Sequence, residues 1–497
     1  MATEYTREWV KRTVPLPMLY NKLALEWLGM VSSMLKISDT YSSVFYNALM
    51  MVLQEDDMAM GRGMGRGRGG EDLYMRLLNV MDAMLDEELK SDRFAHMLTD
   101  YLDSWLSIHA IMRRIYPVRH YDIIFEEMLV EQFRSYTRML SFMLSTYDLP
   151  MDASSYDVIY RKGKTRLLHY RGGRGYPVLI VYAMINRYHI MDVSRDKSVV
   201  KRLMDEGLDV YLLDWGHMDY DDEHLSLDDY IHIMDEAVDR VREESGRDRI
   251  SMLGYCWGGI VSLIYASLYR QKLNSLIVMA APVDFDRDDG ILAVWAKAMD
   301  ARRLVAEYGH MNGQVLDIAF LLRNPVRYTL MKYLNLLRRL NDRPFVETFF
   351  AVERWLYNTP DVPGRFYEQI IEDLYKGNAL VKGTLKVHGR SVDLKSIDLP
   401  LLTIVAENDD LTAPTSTLAV NDHVSSREKR VMSIPGGHVG LCISSIAHKQ
   451  LWPNVARWIM EMARMVEENM KMGDRQEEGR GVEEGKGKKA ADVSAGG

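Results

Sequence analysis

The stretch Ile250-Ser251-Met252-Leu253-Gly254-Tyr255-Cys256-Trp257-Gly258-Gly259 decides how this chain folds. Its first four residues are a short, mostly apolar run, and the glycines beyond bracket a cysteine in the order G-x-C-x-G. That pattern predicts a nucleophile elbow, a strained strand-to-helix turn that pushes one side chain out at the end of a sheet. At Gly254 and Gly258 a side chain would meet the neighbouring strand or helix, so the turn needs glycine there. Sulfur at the elbow points to acyl transfer through a thioester.

Outward from the elbow, β-rich runs alternate with helical patterns. Val178–Tyr182, Asp209–Leu213, Ser275–Ala280, Leu399–Ala406 and Arg430–Ile434 read as strands, with an opening hairpin at Tyr156–Tyr160 and Arg166–Tyr170. Helical patterns fall at about 198–206, at Leu227–Glu244 and after Gly258. This alternation implies a mostly parallel sheet with helices on both faces. With the elbow, it predicts an α/β protein of the α/β-hydrolase fold. The alternation lapses over about 286–396, an aromatic-rich helical stretch placed where a cap over the nucleophile would insert. The catalytic domain is thus expected at 149–472, after a helical region 1–148 and before a Gly/Glu/Lys-rich tail, 473–497, expected to be disordered. Inside the first region, residues 61–70 alternate Gly with Arg and read as a flexible linker. Farther on, Phe125, Met128, Leu129, Phe133, Tyr136, Leu140 and Met143 recur at helical steps.

Only two cysteines occur, Cys256 and Cys442, so a disulfide framework is not expected and a reducing cytoplasm suits a free thiol. A net charge of −9 offers no global electrostatic case for nucleic acid. No run approaches the roughly 18–20 apolar residues of a membrane span. The first residues interleave Glu4, Arg7, Glu8, Lys11 and Arg12 with apolar ones, so no signal peptide is expected.

A thiol nucleophile needs a base, and the base an acid to orient it. Pro435-Gly436-Gly437-His438-Val439-Gly440 follows the last strand and supplies His438 as the base. Glu407-Asn408-Asp409-Asp410-Leu411-Thr412-Ala413-Pro414 follows the strand before it, and spacing alone leaves Asp409 and Asp410 both open as the acid. Cys442, four residues past His438, reads as a buried structural thiol. The oxyanion hole is expected from the backbone N–H of Trp257 and from a second N–H within Ala183-Met184-Ile185-Asn186, assigned to Met184. Sulfur also has an energetic logic. Moving an acyl group from one thioester to another is nearly balanced, and its later capture by an alcohol runs downhill.

These residues resemble the polyhydroxyalkanoate (PHA) synthases, the PhaC family, and most of all its class III catalytic subunits. The resemblance runs from about Ser154 to Met462. It rests on Leu179-Ile180-Val181-Tyr182-Ala183-Met184-Ile185-Asn186-Arg187, on Asp214-Trp215-Gly216 with Leu227-Asp228-Asp229-Tyr230-Ile231, and on the Gly254–Gly259 box. In the insertion it rests on Glu353-Arg354-Trp355, Pro360-Asp361 and Tyr375 to Gly383, and at the end on Trp452-Pro453. It implies Cys256 as the acylated nucleophile, His438 as general base and, through a D-x-x-x-P spacing ending at Pro414, Asp410 as the acid. It implies (R)-3-hydroxyacyl-CoA as substrate, CoA and polyester as products, no bound cofactor, cytoplasmic granules as location, a homodimer, and a PhaE-type helical subunit as a possible partner. Residues 1–148 depart from the class III pattern and lack the tryptophan-rich pattern of class I. Two other readings compete: a cysteine hydrolase of the dienelactone-hydrolase kind, which lacks the long cap, and a non-catalytic granule-associated protein.

Overall fold

A computed structural model describes residues 153–470, apart from 325, 326, 329–331 and 340, together with scattered positions between 25 and 107. The Gly/Arg stretch 61–70, the amphipathic stretch 125–143 and the tail from 473 lie outside the described residues.

The core is one eight-stranded sheet: β1 (Tyr156–Lys162), β2 (Thr165–Tyr170), β3 (Pro177–Val181), β4 (Asp209–Asp214), β5 (Ile250–Tyr255), β6 (Leu273–Met279), β7 (Leu401–Ala406) and β8 (Lys429–Ile434). They lie side by side in the order β1-β2-β4-β3-β5-β6-β7-β8. β1 and β2 run antiparallel, as do β2 and β4, and every later pair is parallel. Every residue of β3, β5, β6 and β7 is buried, as expected of parallel strands covered on both faces. The covering helices are α1 (Val199–Asp205), α2 (Leu227–Ser245), α3 (Trp257–Tyr269) and a last helix over residues 452–470. The Leu227-Asp228-Asp229 motif starts α2 through a capping box, in which Ser226 accepts from the Asp229 amide and Asp229 accepts in return from the Ser226 amide at 2.8 Å.

The predicted strands and helices thus recur within a few residues of their expected ends. Between β6 and β7 the sheet gives way to the helices α4 (Ile291–Ala298), α5 (Ala301–Tyr308), α6 (Gly313–Leu322), α7 (Lys332–Arg338), α8 (Arg343–Leu356) and α9 (Gly364–Gln369). They form the cap. Described positions at 80–89 and 93–107 are helical too, apart from a turn at Lys90 and Ser91, and Leu89 among them is wholly buried.

Candidate active site

β5 ends at Tyr255 and α3 begins at Trp257, so the whole reversal falls on Cys256, at φ 54° and ψ −126°. A non-glycine residue held there costs on the order of 1–3 kcal/mol. Two backbone bonds help to hold it: the Cys256 N–H donates to the Met279 carbonyl at 2.9 Å, and the Gly259 N–H to the Cys256 carbonyl at 2.8 Å. The flanking glycines are required by space rather than by φ. A Cβ on Gly258 would stand 2.1 Å from the Val181 carbonyl oxygen, and one on Gly254 2.6 Å from the Gly259 Cα. Cys256 therefore sits at the N-terminus of a thirteen-residue helix, at the positive end of the helix dipole.

His438 hangs on the loop after β8, which turns at Gly436 with φ 123°. Its Nδ1 lies 2.7 Å from Asp409 Oδ2, and both side chains are almost fully buried. The other oxygen of Asp409 accepts from the amides of Leu411, at 2.9 Å, and Thr412, at 3.0 Å. With the carboxylate on Nδ1, the Nε2 edge of the ring is left for Cys256. Burial opposes charge on the imidazole, but Asp409 and then Cys256 outweigh it and raise its pKa to about 10. His438 is therefore held as an imidazolium at neutral pH, beside the sulfur of Cys256. Tyr255, which sequence reasoning passed over, stacks on the His438 ring at 4.8 Å and donates to the His438 carbonyl at 3.3 Å. Its place in the G-x-C-x-G run was the one available signal.

Asp410 is not the partner of His438, which corrects the D-x-x-x-P assignment. Its carboxylate turns to the cap, where Arg323 Nη1 lies 2.5 Å from Oδ1 and the Tyr328 hydroxyl donates to Oδ2. Burial would raise the Asp410 pKa, but the Arg323 guanidinium and the Tyr328 hydroxyl prevail and hold it below the usual carboxylate range. The physical reason for the swap is the turn itself. Two amides, from Leu411 and Thr412, capture Asp409 and aim it inward, and the next residue consequently faces out. Cys442 is fully buried and its thiol is pushed up to about 12 by burial, so it stays protonated.

The loop after β3 is braced by the motif residues. Arg187 and Arg166 both bind the buried Asp214, Trp215 Nε1 donates to the Tyr182 carbonyl at 2.8 Å, and Asn186, at φ 58°, donates to Thr359 Oγ1 at 2.6 Å. Trp355 Nε1 donates to the Arg187 carbonyl at 2.5 Å. The loop is thereby tied to the cap. Ala183, Ile185 and Asn186 line the cavity that holds Cys256, Trp257 and His438, whereas Met184 lines a small neighbouring pocket with Arg187 and Trp215. The cavity beside Cys256 holds about 310 Å³. Cap residues Trp295, Met299, Leu304, Phe320 and Trp355 make its far side largely apolar. Tyr375, on the π-helical stretch Ile370–Lys376, accepts from Trp257 Nε1 at 3.3 Å and seats the cap on the elbow. Among the described residues no group of His, Cys, Asp and Glu is arranged to hold a metal ion.

A family model described as the alpha/beta hydrolase fold matches residues 176–442. The chain is 40% identical to the poly(3-hydroxyalkanoate) polymerase subunit PhaC of Haloarcula marismortui over 63% of its own length and 69% of the relative. It is 35% identical to the PhaC subunit of Allochromatium vinosum, over 67% of its own length and 98% of that protein. The chain belongs to the PhaC family. A third PhaC subunit, from Synechocystis sp., is 34% identical over 64% of this chain and 87% of its own. The PhaC matches thus cover about two thirds of the chain, and within that span the cysteine elbow faces a cap.

Proposed function

We propose that this chain polymerises (R)-3-hydroxyacyl-CoA into polyester, with Cys256 carrying the acyl group as a thioester. As a member of the PhaC family it is an acyltransferase of the poly(3-hydroxyalkanoate) polymerase type. The observation that carries the route is a cysteine elbow backed by His438 and Asp409 under a largely apolar cap.

In the loading step the Cys256 thiolate attacks the thioester carbon of the bound acyl-CoA. The carbonyl oxygen takes the negative charge, next to the Trp257 amide at the start of α3 and a second amide of the β3 loop, for which Met184 stays the proposal. The bond to CoA sulfur then breaks, and the CoA thiolate takes the proton held by His438. In the unloading step the neutral imidazole removes the proton of a 3-hydroxyl as that oxygen attacks the Cys256 thioester. An ester forms, the bond to the Cys256 sulfur breaks, and the thiolate–imidazolium pair returns. Asp409 holds the ring and stabilises its charge throughout. Each cycle turns one thioester into one ester and one free CoA, so it runs downhill without any other reactant.

The remaining reading rests on the family alone: a homodimer, polymer retained at a granule surface in the cytoplasm, and a PhaE-type subunit as partner. No described helix is long and apolar enough to cross a membrane. The function is tested by supplying (R)-3-hydroxybutyryl-CoA to the purified protein. Free CoA together with insoluble polyester is expected, whereas soluble 3-hydroxy acid as the sole product would indicate a hydrolase instead.

A further inference from the structure

The cavity above Cys256 is closed on one side by residues that belong neither to the hydrolase core nor to the cap. Thr99 and Asp103, on the helical positions 93–107 of the N-terminal region, line the same cavity as Cys256 and His438. The contact is built at three further points. Arg303 of α5 reaches Asp103 Oδ1 at 2.9 Å and Ser107 Oγ at 2.7 Å. Trp295 of α4, itself a cavity residue, donates its indole N–H to the Leu89 carbonyl at 3.3 Å. Leu89 has no exposed surface, and Met97 is 7% exposed. Side-chain hydrogen bonds from both cap helices therefore tie these positions to the cap. The two cap helices held this way, α4 and α5, carry Trp295, Met299 and Leu304 into the cavity wall.

We propose that Thr99 and Asp103 of the N-terminal region form a wall of the acyl cavity, and that Thr99 is a specificity-determining residue which limits the chain length admitted beside Cys256. This rests on the polymerase reading for the nature of the acyl group, but not for the geometry. Leu89, Asp103 and Ser107 brace α4 and α5 through these bonds, and Thr99 and Asp103 stand at the cavity edge beside them. At this edge of a largely apolar cavity Thr99 is a small side chain, whose replacement changes volume directly. In an apolar pocket each methylene added to or removed from the ligand changes selectivity by about tenfold.

The test uses the full chain with Thr99→Phe and Thr99→Ala, and it reads the alkylation rate of Cys256 by iodoacetamide and by a long-chain N-alkylmaleimide. Cys256→Ala serves as the blank, because Cys442 is fully buried. Thr99→Phe should lower the long-to-short rate ratio by about tenfold, and Thr99→Ala should raise it. The same order should appear in kcat/KM for 3-hydroxyhexanoyl-CoA against 3-hydroxybutyryl-CoA. A purely structural role would change both reagents alike and leave the ratio where it was, and an unchanged ratio in both variants overturns the proposal. If Thr99→Phe does not fold, the direction of the ratio in Thr99→Ala decides alone. Failure of the wild type to release CoA from any 3-hydroxyacyl-CoA would sink the polymerase reading instead, while the alkylation ratio would still judge the wall.

Discussion

Asp409 Oδ2 lies 2.7 Å from His438 Nδ1, while its neighbour Asp410 points to Arg323 of the cap. Two adjacent aspartates therefore carry different contacts, one holding the His438 ring and the other holding the cap. Asp409→Asn should leave the fold intact and lower kcat about 10³- to 10⁴-fold, because the amide no longer stabilises the imidazolium. Asp410→Asn should lower it far less. Rates of CoA release from the two variants check the assignment, and a larger loss in Asp410→Asn would reverse it.

The pH dependence follows from the same pair. The His438 pKa rises from 6.5 to about 10 on folding. A raised pKa means that its stabilising charge interaction is complete below about pH 6.5 and disappears as the pH climbs through 10. The imidazolium also protonates the departing CoA. Acylation should accordingly hold up to about pH 10 and fall above it, and Asp409→Asn should move that alkaline limb to lower pH. Pre-steady-state CoA release between pH 7 and 11 measures it.

Asp410 predicts how the cap opens. Arg323→Gln removes one arm of the Asp410 contact and Tyr328→Phe the other, and each should speed alkylation of Cys256 by a bulky maleimide. Because the Asp410 pKa is lowered, its contribution is present above the ordinary carboxylate pKa and is lost as pH falls through the depressed value. In the wild type alkylation should therefore gain, relative to the Arg323→Gln variant, only at strongly acidic pH.

Gly258→Ala tests the elbow. Its Cβ would lie 2.1 Å from the Val181 carbonyl oxygen, a backbone atom that cannot swing aside. Overpacking of this kind costs about 3 kcal/mol. A clear drop in the thermal midpoint is expected, against little change for Gly440→Ala, where no atom lies within 4 Å of the added Cβ.

The strands and the elbow were legible because their causes are local: buried parallel strands read as apolar runs, and the elbow needs its glycines in sequence. Cys256 and His438 were legible for the same reason. The choice between Asp409 and Asp410 was not, since it depends on which carboxylate the amides of Leu411 and Thr412 capture, and both aspartates fit the spacing of one motif or another. Tyr255, Tyr375 and Asn186 matter through contacts with residues 118 to 183 positions away. No local pattern encodes such distances. The same holds for Thr99, which reaches the cavity only because the N-terminal segment packs on the cap.

The central claim is that the growing acyl group is borne by the sulfur of Cys256. The most direct measurement is peptide mass mapping of the protein quenched in acid during turnover of (R)-3-hydroxybutyryl-CoA. The account predicts hydroxybutyryl mass increments on the peptide carrying Cys256, removed by hydroxylamine, with neither adduct nor CoA release in Cys256→Ala. An adduct on another residue, or CoA release that survives in Cys256→Ala, would contradict it.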